Sequence, residues 1–228
     1  MNRISEVFGA RHVLLPVVHP VGRTEALESI RVAHAAGVKG VFLIDQGMTA
    51  PEVLQLVLDV RAAYPELWIG VNLLSRHPAQ ALANALDACD GRIDGIWSDN
   101  AESDAAAFLD VRRARGWTGL YFGGTAFKYQ RAVAEADLAR TAAEAAGYMD
   151  VVCTSGPGTG MAADVGKVKA MRSGLGDHAL ALASGVTPEN VRDYLPYVDA
   201  YLVGTGIEAR FGVLDPRKVE ALLRAMQR

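Results

Sequence analysis

Two segments near the end of the chain decide the fold: Ala183-Ser184-Gly185-Val186-Thr187-Pro188-Glu189-Asn190 and, after one short helical pattern, Tyr201-Leu202-Val203-Gly204-Thr205-Gly206-Ile207. Each is an apolar β-type run that ends in small residues. In a (β/α)8 barrel, the loops after strands 7 and 8 commonly bind phosphate through free backbone N–H groups. Glycine lets the main chain approach the anion and permits positive φ. The segments therefore predict a phosphate-bearing ligand at Ser184, Gly185, Val186, Gly204 and Thr205.

The rest of the chain supports a barrel, because β-type runs alternate with helical patterns along all 228 residues. Eight strands are predicted, at 12–19, 40–45, 68–74, 95–98, 119–123, 150–154, 179–183 and 200–203. A helix follows each strand, at 24–36, from about 51, from about 78, and at 101–115, 134–146, 164–172, 188–195 and 216–226. The pattern predicts an α/β fold, a (β/α)8 TIM barrel in a single domain over residues 1–228.

An open, doubly wound sheet would also alternate strands with helices. A Rossmann fold places the glycine fingerprint GxGxxG directly after its first strand. Here that turn reads His19-Pro20-Val21-Gly22-Arg23, without the fingerprint. The count of strands and the late glycine loops favour the barrel.

Composition excludes several classes of partner. The formal net charge of −3 and the lack of a basic block argue against nucleic acid. No apolar run approaches the roughly 20 residues of a membrane helix, and the N-terminus lacks a signal-peptide core, so we expect a cytoplasmic protein. Cys89 and Cys153 form no CxxC pair and no HExxH pattern occurs, so we expect neither a metal nor another cofactor. The sequence is compatible with a homo-oligomer.

Two carboxylates are candidate catalytic groups, because each follows a predicted strand at the end where barrel active sites lie. Burial of Asp45 after Val41-Phe42-Leu43-Ile44 would raise the pKa of its carboxyl and suit it to general base work. The alternative is a helix cap or a salt bridge with Lys128 or Arg76. Asp99 is the candidate general acid, or a residue that holds a ligand hydroxyl by a hydrogen bond. Ser98-Asp99-Asn100 is also a good N-cap sequence for the helix that follows.

Other polar residues at the same strand ends are candidate substrate ligands. A buried Asn72 amide needs partners, or it costs about 1 to 3 kcal/mol; ligand hydroxyls or a neighbouring strand end could supply them. His19 could act as an acid, a base or a metal ligand, or it could be a turn residue before Pro20. Lys128 could pair with a phosphate or a carboxylate, and no lysine lies within a strand as an imine-forming lysine would.

Thr154 and Ser155 open a glycine-rich loop over 154–160, where small residues could form a second anion site or a lid. A flexible connection is the alternative. Cys153, within an apolar strand, is interpreted as a core residue and not as a nucleophile.

Four stretches carry a family resemblance. They are Leu182-Ala183-Ser184-Gly185-Val186-Thr187-Pro188-Glu189-Asn190-Val191, Tyr197-Val198-Asp199-Ala200-Tyr201-Leu202-Val203-Gly204-Thr205, Gly70-Val71-Asn72-Leu73-Leu74 and Val152-Cys153-Thr154-Ser155-Gly156. Together they resemble the BtpA/SgcQ family of TIM-barrel proteins, while the opening around His19 matches only in part. The resemblance implies a barrel with a sugar-phosphate or phosphoribosyl-type ligand. One branch of the family is linked with photosystem I biogenesis and another with a predicted sugar metabolism cluster.

Two functions follow as hypotheses. The first is an enzyme that acts on a phosphorylated sugar or phosphoribosyl-type small molecule by isomerase, lyase or hydrolase-type acid/base chemistry. The alternative is a non-catalytic phosphate-ligand-binding or assembly-factor protein on the same scaffold.

Overall fold

The computed structural model describes residues 2–227, in which eight parallel strands close into one barrel in the order β1 to β8. The strands are β1 Val13–Val18, β2 Gly40–Ile44, β3 Trp68–Asn72, β4 Gly95–Ser98, β5 Leu120–Gly124, β6 Val151–Ser155, β7 Ala179–Ala183 and β8 Ala200–Val203. The helices are α1 Arg3–Phe8, α2 Arg23–Ala35, α3 Ala50–Ala63, α4 Pro78–Ala88, α5 Ala105–Ala114, α6 Leu138–Ala145, α7 Val165–Leu175, α8 Val191–Tyr194 and α9 Pro216–Met226. The predicted (β/α)8 barrel is confirmed.

Some boundaries differ from the prediction for local reasons. The sequence predicts the helix after β7 from residue 188, but α8 begins at Val191. The Thr187 N–H donates to Asn190 Oδ1 at 2.8 Å, and this side-chain-closed turn occupies the expected first helical turn. The helix after β4 begins at Ala105, because residues 102–104 form a short 3-10 turn instead.

Two elements lie outside the predicted set. Helix α1 inserts Ile4 and Phe8 into the cluster of side chains that fills the barrel interior. A short antiparallel hairpin, β9 Glu208–Arg210 and β10 Val213–Leu214, follows β8. Both are too short for a hydrophobic period to reveal them in the sequence.

Large aromatic side chains fill the interior below the mouth. Phe42 lies 5.2 Å from Trp68 and 5.1 Å from Phe122, measured between ring centroids. A Cβ on Gly70 would come within 2.3 Å of Phe42 Cε1, and one on Gly95 equally close to the Trp68 ring. Glycine in β3 and β4 therefore makes room for these rings. Because these side chains fill the interior, a ligand can enter the barrel only from the carboxyl end of the strands.

Within residues 2–227, every helix falls short of the length or apolarity that a membrane crossing requires.

Candidate functional site

A cavity of about 230 Å³ opens at the carboxyl end of the strands. Its wall includes His19, Asp99, Lys128, Ser184, Gly204 and Thr205. A second cavity of about 370 Å³ shares Leu74 and Asp99 with the first, so the two adjoin at Asp99. The mouth therefore offers one elongated site with Asp99 at its middle.

Larger hollows lie at the amino-terminal rim, the largest of about 520 Å³. In each of the two hollows, one arginine is already paired with an aspartate, Arg61 with Asp94 and Arg172 with Asp199. We therefore place the candidate site at the mouth, where charged and polar groups face the cavity.

The loop after β7 contains backbone N–H groups that have no partner within the part of the protein that the structure describes. Ser184 and Gly185 both have positive φ, of 70° and 68°. Asn190 holds the loop, since its Nδ2 donates to the Gly185 carbonyl at 2.8 Å. Among residues 2–227, no hydrogen bond uses the N–H groups of Gly185, Val186, Gly204 or Thr205. Free N–H groups in such a turn are suited to an anion.

The sequence suggested that two glycines are needed so that a ligand can approach the main chain. In the structure, contacts with neighbouring protein atoms explain both of them. A Cβ on Gly185 would lie 2.2 Å from the Met161 carbonyl carbon, in the loop after β6. One on Gly204 would lie 2.5 Å from His19 Cε1. The missing side chains thus accommodate neighbouring protein atoms. The free N–H groups, and not the absence of Cβ, are what favours an anion here.

Lys128 brings a positive charge to the same loop. Its Nζ lies 2.9 Å from Ser184 Oγ and 3.3 Å from Thr159 Oγ1. Its own backbone N–H donates to Ser155 Oγ at 2.8 Å, which fixes the start of the side chain. The ammonium group therefore lies beside the free N–H groups of the loop after β7.

Thr154 and Ser155 are fully buried and absent from the cavity wall. Thr154 Oγ1 donates to the Ala126 carbonyl at 3.2 Å. Lys167, which the sequence analysis did not single out, donates from Nζ to the carbonyls of Ala126 and Ser155 at 2.6 and 2.8 Å. Burial lowers the pKa of the Lys167 ammonium. These groups join the loops after β5 and β6 behind the cavity.

Asp99 and Asn72 meet in the wall of the mouth. Asn72 Nδ2 donates to Asp99 Oδ1 at 3.0 Å, and Asn72 is buried. Burial raises the pKa of the Asp99 carboxyl, while the Asn72 hydrogen bond and the charge of Lys128 oppose that shift. An aspartic acid whose pKa lies above its ordinary value is suited to proton transfer.

Asp45 has a different environment. Its carboxylate accepts hydrogen bonds from the Leu74 N–H at 2.5 Å and from Ser75 Oγ at 2.7 Å. Among residues 2–227, it forms no salt bridge with Lys128 or Arg76. Both carboxylate oxygens are thus engaged in holding the loop after β3. Its assignment as the base stays a prediction.

His19 is buried at the end of β1 and contacts a carboxylate that the sequence analysis missed. Its Nδ1 lies 2.8 Å from Glu208 Oε1, and its ring stacks on Phe211 with centroids 5.0 Å apart. Glu208 also accepts from the Gly212 N–H at 3.2 Å. Glu208 was missed because it lies in the unpredicted hairpin, 189 residues further along the chain.

Backbone strain gathers around the mouth. Four non-glycine residues within 2–227 have positive φ, and three of them, Ala126, Tyr129 and Ser184, lie in the loops after β5 and β7. Each such residue costs on the order of 1–3 kcal/mol and typically marks a functional site. The strain thus coincides with the Lys128 and Ser184 region.

Within residues 2–227, no three His, Cys, Asp or Glu side chains gather as they would to hold a metal ion.

The fold is similar to those of several solved barrels. Phosphoribosyl anthranilate isomerase from Thermus thermophilus superposes with a TM-score of 0.68 at 16% identity, over 94% of this chain and 98% of that one. Another phosphoribosyl anthranilate isomerase, solved in complex with reduced 1-(o-carboxyphenylamino)-1-deoxyribulose 5-phosphate, gives 0.65 at 16% identity, covering 94% and 98%. A structure described as native KDPGal gives 0.68 at 19% identity, covering 94% of each chain.

No protein-family model matches the chain, and no curated protein matches it in sequence. Identities this low establish the TIM-barrel fold alone. Membership of the BtpA/SgcQ family stays a prediction.

Proposed function

We propose that the chain is an enzyme that acts on a phosphorylated sugar or phosphoribosyl-type small molecule by acid/base chemistry. The phosphate would bind the N–H groups of Gly185, Val186, Gly204 and Thr205. The observation that carries the proposal is that Gly204, Thr205, Lys128 and the partly buried Asp99 line one cavity together with Ser184, the residue before Gly185 and Val186. The similarity to a barrel solved with a ribulose phosphate derivative agrees with this class of ligand.

The phosphate end combines three kinds of attraction. Free N–H groups donate to anion oxygens, and the Lys128 ammonium adds a full positive charge. Ser184 Oγ, already 2.9 Å from Lys128 Nζ, supplies a hydroxyl at the same place. Binding energy from an unreactive phosphate would then position the other end of the ligand.

The reacting end would lie at Asp99, where the two cavities adjoin. Asn72 orients this carboxyl, and burial favours its protonated form. Asp99 would donate a proton to, or accept one from, a carbonyl or hydroxyl oxygen of the ligand. The second cavity leaves room for the part of the ligand beyond that oxygen.

The phosphate site is tested by titrating inorganic phosphate into isotopically labelled protein and following backbone amide resonances. We expect the largest shifts at Gly185, Val186, Gly204 and Thr205, and weaker binding in Lys128→Met. A response confined to other residues would contradict the assignment. A thermal-shift screen of phosphorylated metabolites then narrows the substrate, since a ligand that binds only the folded state raises the Tm.

One observation favours the alternative, a phosphate-ligand-binding or assembly-factor protein without turnover. The carboxylate of Asp45, the predicted base, is engaged by the loop after β3. Asp99 would then lack its predicted partner in proton transfer. This alternative would be favoured if the protein bound a phosphorylated ligand but did not exchange solvent protons into any sugar phosphate.

A further inference from the structure

The proposed reaction needs a second proton-transfer group. His19 lines the same cavity as Asp99 and Lys128, and it follows β1, three strands away from β4 around the barrel. Its imidazole is buried between the hairpin and Gly204, and stacking on Phe211 limits rotation of the ring. The side chain therefore has a fixed position in the wall of the cavity.

Glu208 determines which ring nitrogen carries the proton. An ionised carboxylate only accepts hydrogen bonds, so at 2.8 Å from Glu208 Oε1 the His19 Nδ1 is the donor. Within residues 2–227, no protein group bonds to Nε2 of this ring. Nε2 is thus the nitrogen left for a ligand, as a lone pair in the neutral ring.

We propose that His19, oriented by Glu208, is the general base that works with Asp99 on a carbonyl-bearing sugar phosphate. The inference rests on the proposed enzymatic function. Glu208 is a positioning residue, because it acts only through His19. Its carboxylate accepts the hydrogen bond from Nδ1 and stabilises the imidazolium that forms during the reaction.

The step balances without a cofactor. His19 Nε2 takes a proton from the carbon next to the carbonyl, and the electron pair of that C–H bond forms a carbon–carbon double bond. The carbonyl π electrons move to oxygen, which takes the proton of Asp99. Return of a proton to the former carbonyl carbon, with loss of the neighbouring hydroxyl proton to Asp99, interconverts an aldose and a ketose.

The interactions of Glu208 explain why the pair is rigid. Its side chain also accepts from the Gly212 N–H, and its backbone carbonyl accepts from Lys218 Nζ at 2.7 Å. Gly204 leaves space for the His19 ring, since a Cβ there would lie 2.5 Å from Cε1. The hairpin and the loop after β8 thus hold the imidazole from two sides.

The first test is direct observation of the tautomer by heteronuclear NMR of the imidazole nitrogens in the unmodified protein. At a pH at which the imidazole is neutral, we expect His19 to carry its proton on Nδ1, with Nε2 unprotonated. Loss of signals in His19→Gln assigns them to His19, and His12→Gln, which removes a half-buried histidine whose Nδ1 contacts the Val198 carbonyl at the other end of β1, is the control. A proton on Nε2 of His19 would overturn the proposal.

The second test measures exchange of carbon-bound hydrogen in deuterium oxide, with ribose phosphate, glucose phosphate, glyceraldehyde phosphate and their ketose isomers. We expect His19→Gln to slow exchange by about 100-fold or more, and Glu208→Gln by about tenfold. The affinity for inorganic phosphate should stay close to that of the unmodified protein. His12→Gln should exchange at the unmodified rate.

The outcomes separate the two proposals. If the unmodified protein catalyses exchange and His19→Gln catalyses it equally well, the role of His19 is overturned but the proposed enzyme is not. A large loss of phosphate affinity in His19→Gln overturns it as well, because His19 would then be a phosphate ligand. No exchange by the unmodified protein on any of these compounds contradicts the proposed enzyme, and with it the role of His19.

Discussion

Asn72 Nδ2 donates a hydrogen bond to Asp99 Oδ1 across 3.0 Å and joins the ends of β3 and β4. The pairing depends on the register of β3 against β4, in which Gly70 lies opposite Gly95 and Val71 opposite Ile96. Because Asn72 is buried, its amide finds its partner in Asp99 and not in solvent. The bond directs the carboxyl of Asp99 at the place where the two cavities meet.

Asp99→Asn should remove a proton-transfer group without changing shape. We expect turnover of a phosphorylated substrate to fall by about 100-fold or more, because an amide cannot exchange a proton in the same way. Phosphate affinity is expected to change little, and both quantities can be measured on the same preparation. A variant that retains full turnover would remove Asp99 from the mechanism.

Asp45→Asn distinguishes a base from a loop anchor. The substituted amide would lack the charge that holds the Leu74 N–H and Ser75 Oγ, so we expect a stability loss of about 1 kcal/mol and substantial residual turnover. Urea unfolding and steady-state kinetics check the two parts. Abolished turnover with unchanged stability would instead support Asp45 as the base.

The partly buried carboxyl of Asp99 also predicts a pH effect on stability. Burial raises its pKa in the folded state, so the folded protein binds more protons and stability falls as the pH rises above the unfolded value. Asp99→Asn should therefore be more stable than the unmodified protein at neutral pH, where the folded state must hold the Asp99 carboxyl in its disfavoured charged form. The difference should vanish below about pH 4. Urea unfolding across this range provides the measurement, and a constant difference would contradict the assignment.

Lys128→Met should weaken phosphate binding by about tenfold or more, because a charged hydrogen-bond donor beside Ser184 is lost. Isothermal titration with inorganic phosphate measures the effect. Lys169→Met is the matched control, since Lys169 is exposed on α7. Equal losses in the two variants would indicate an effect of net charge and not a contact at the site.

Gly185→Ala tests how tightly the loops after β6 and β7 pack. The new Cβ would meet Met161 at 2.2 Å on a backbone with φ of 68°, so we expect a loss of about 2 to 4 kcal/mol. Gly37→Ala has a comparable φ of 83° and open space within 4 Å, so it should cost only about 1 kcal/mol. Similar costs in thermal unfolding would show that crowding by the loop after β6 is unimportant.

Much of the fold could be predicted because its signals are local. Apolar strands and amphipathic helices repeat within windows of a few residues, and the predicted bounds of α9 match the observed ones, Pro216–Met226. The polar strand ends followed from the barrel, because parallel strands bring their carboxyl ends to one face. Helix α1 and the hairpin were missed because short elements carry too few residues for a period to be visible.

The sequence by itself determined the barrel and the set of polar residues at its mouth, since periodicity and strand direction depend on neighbours along the chain. Only the tertiary structure decided their partners: Asn72 bonds Asp99, Asp45 holds the loop after β3, and His19 meets Glu208 from a hairpin 189 residues away. Such contacts depend on closure of the barrel, which joins β1 to β8 and brings distant segments together. Hydrogen-bond partners across that distance leave no local pattern in the sequence.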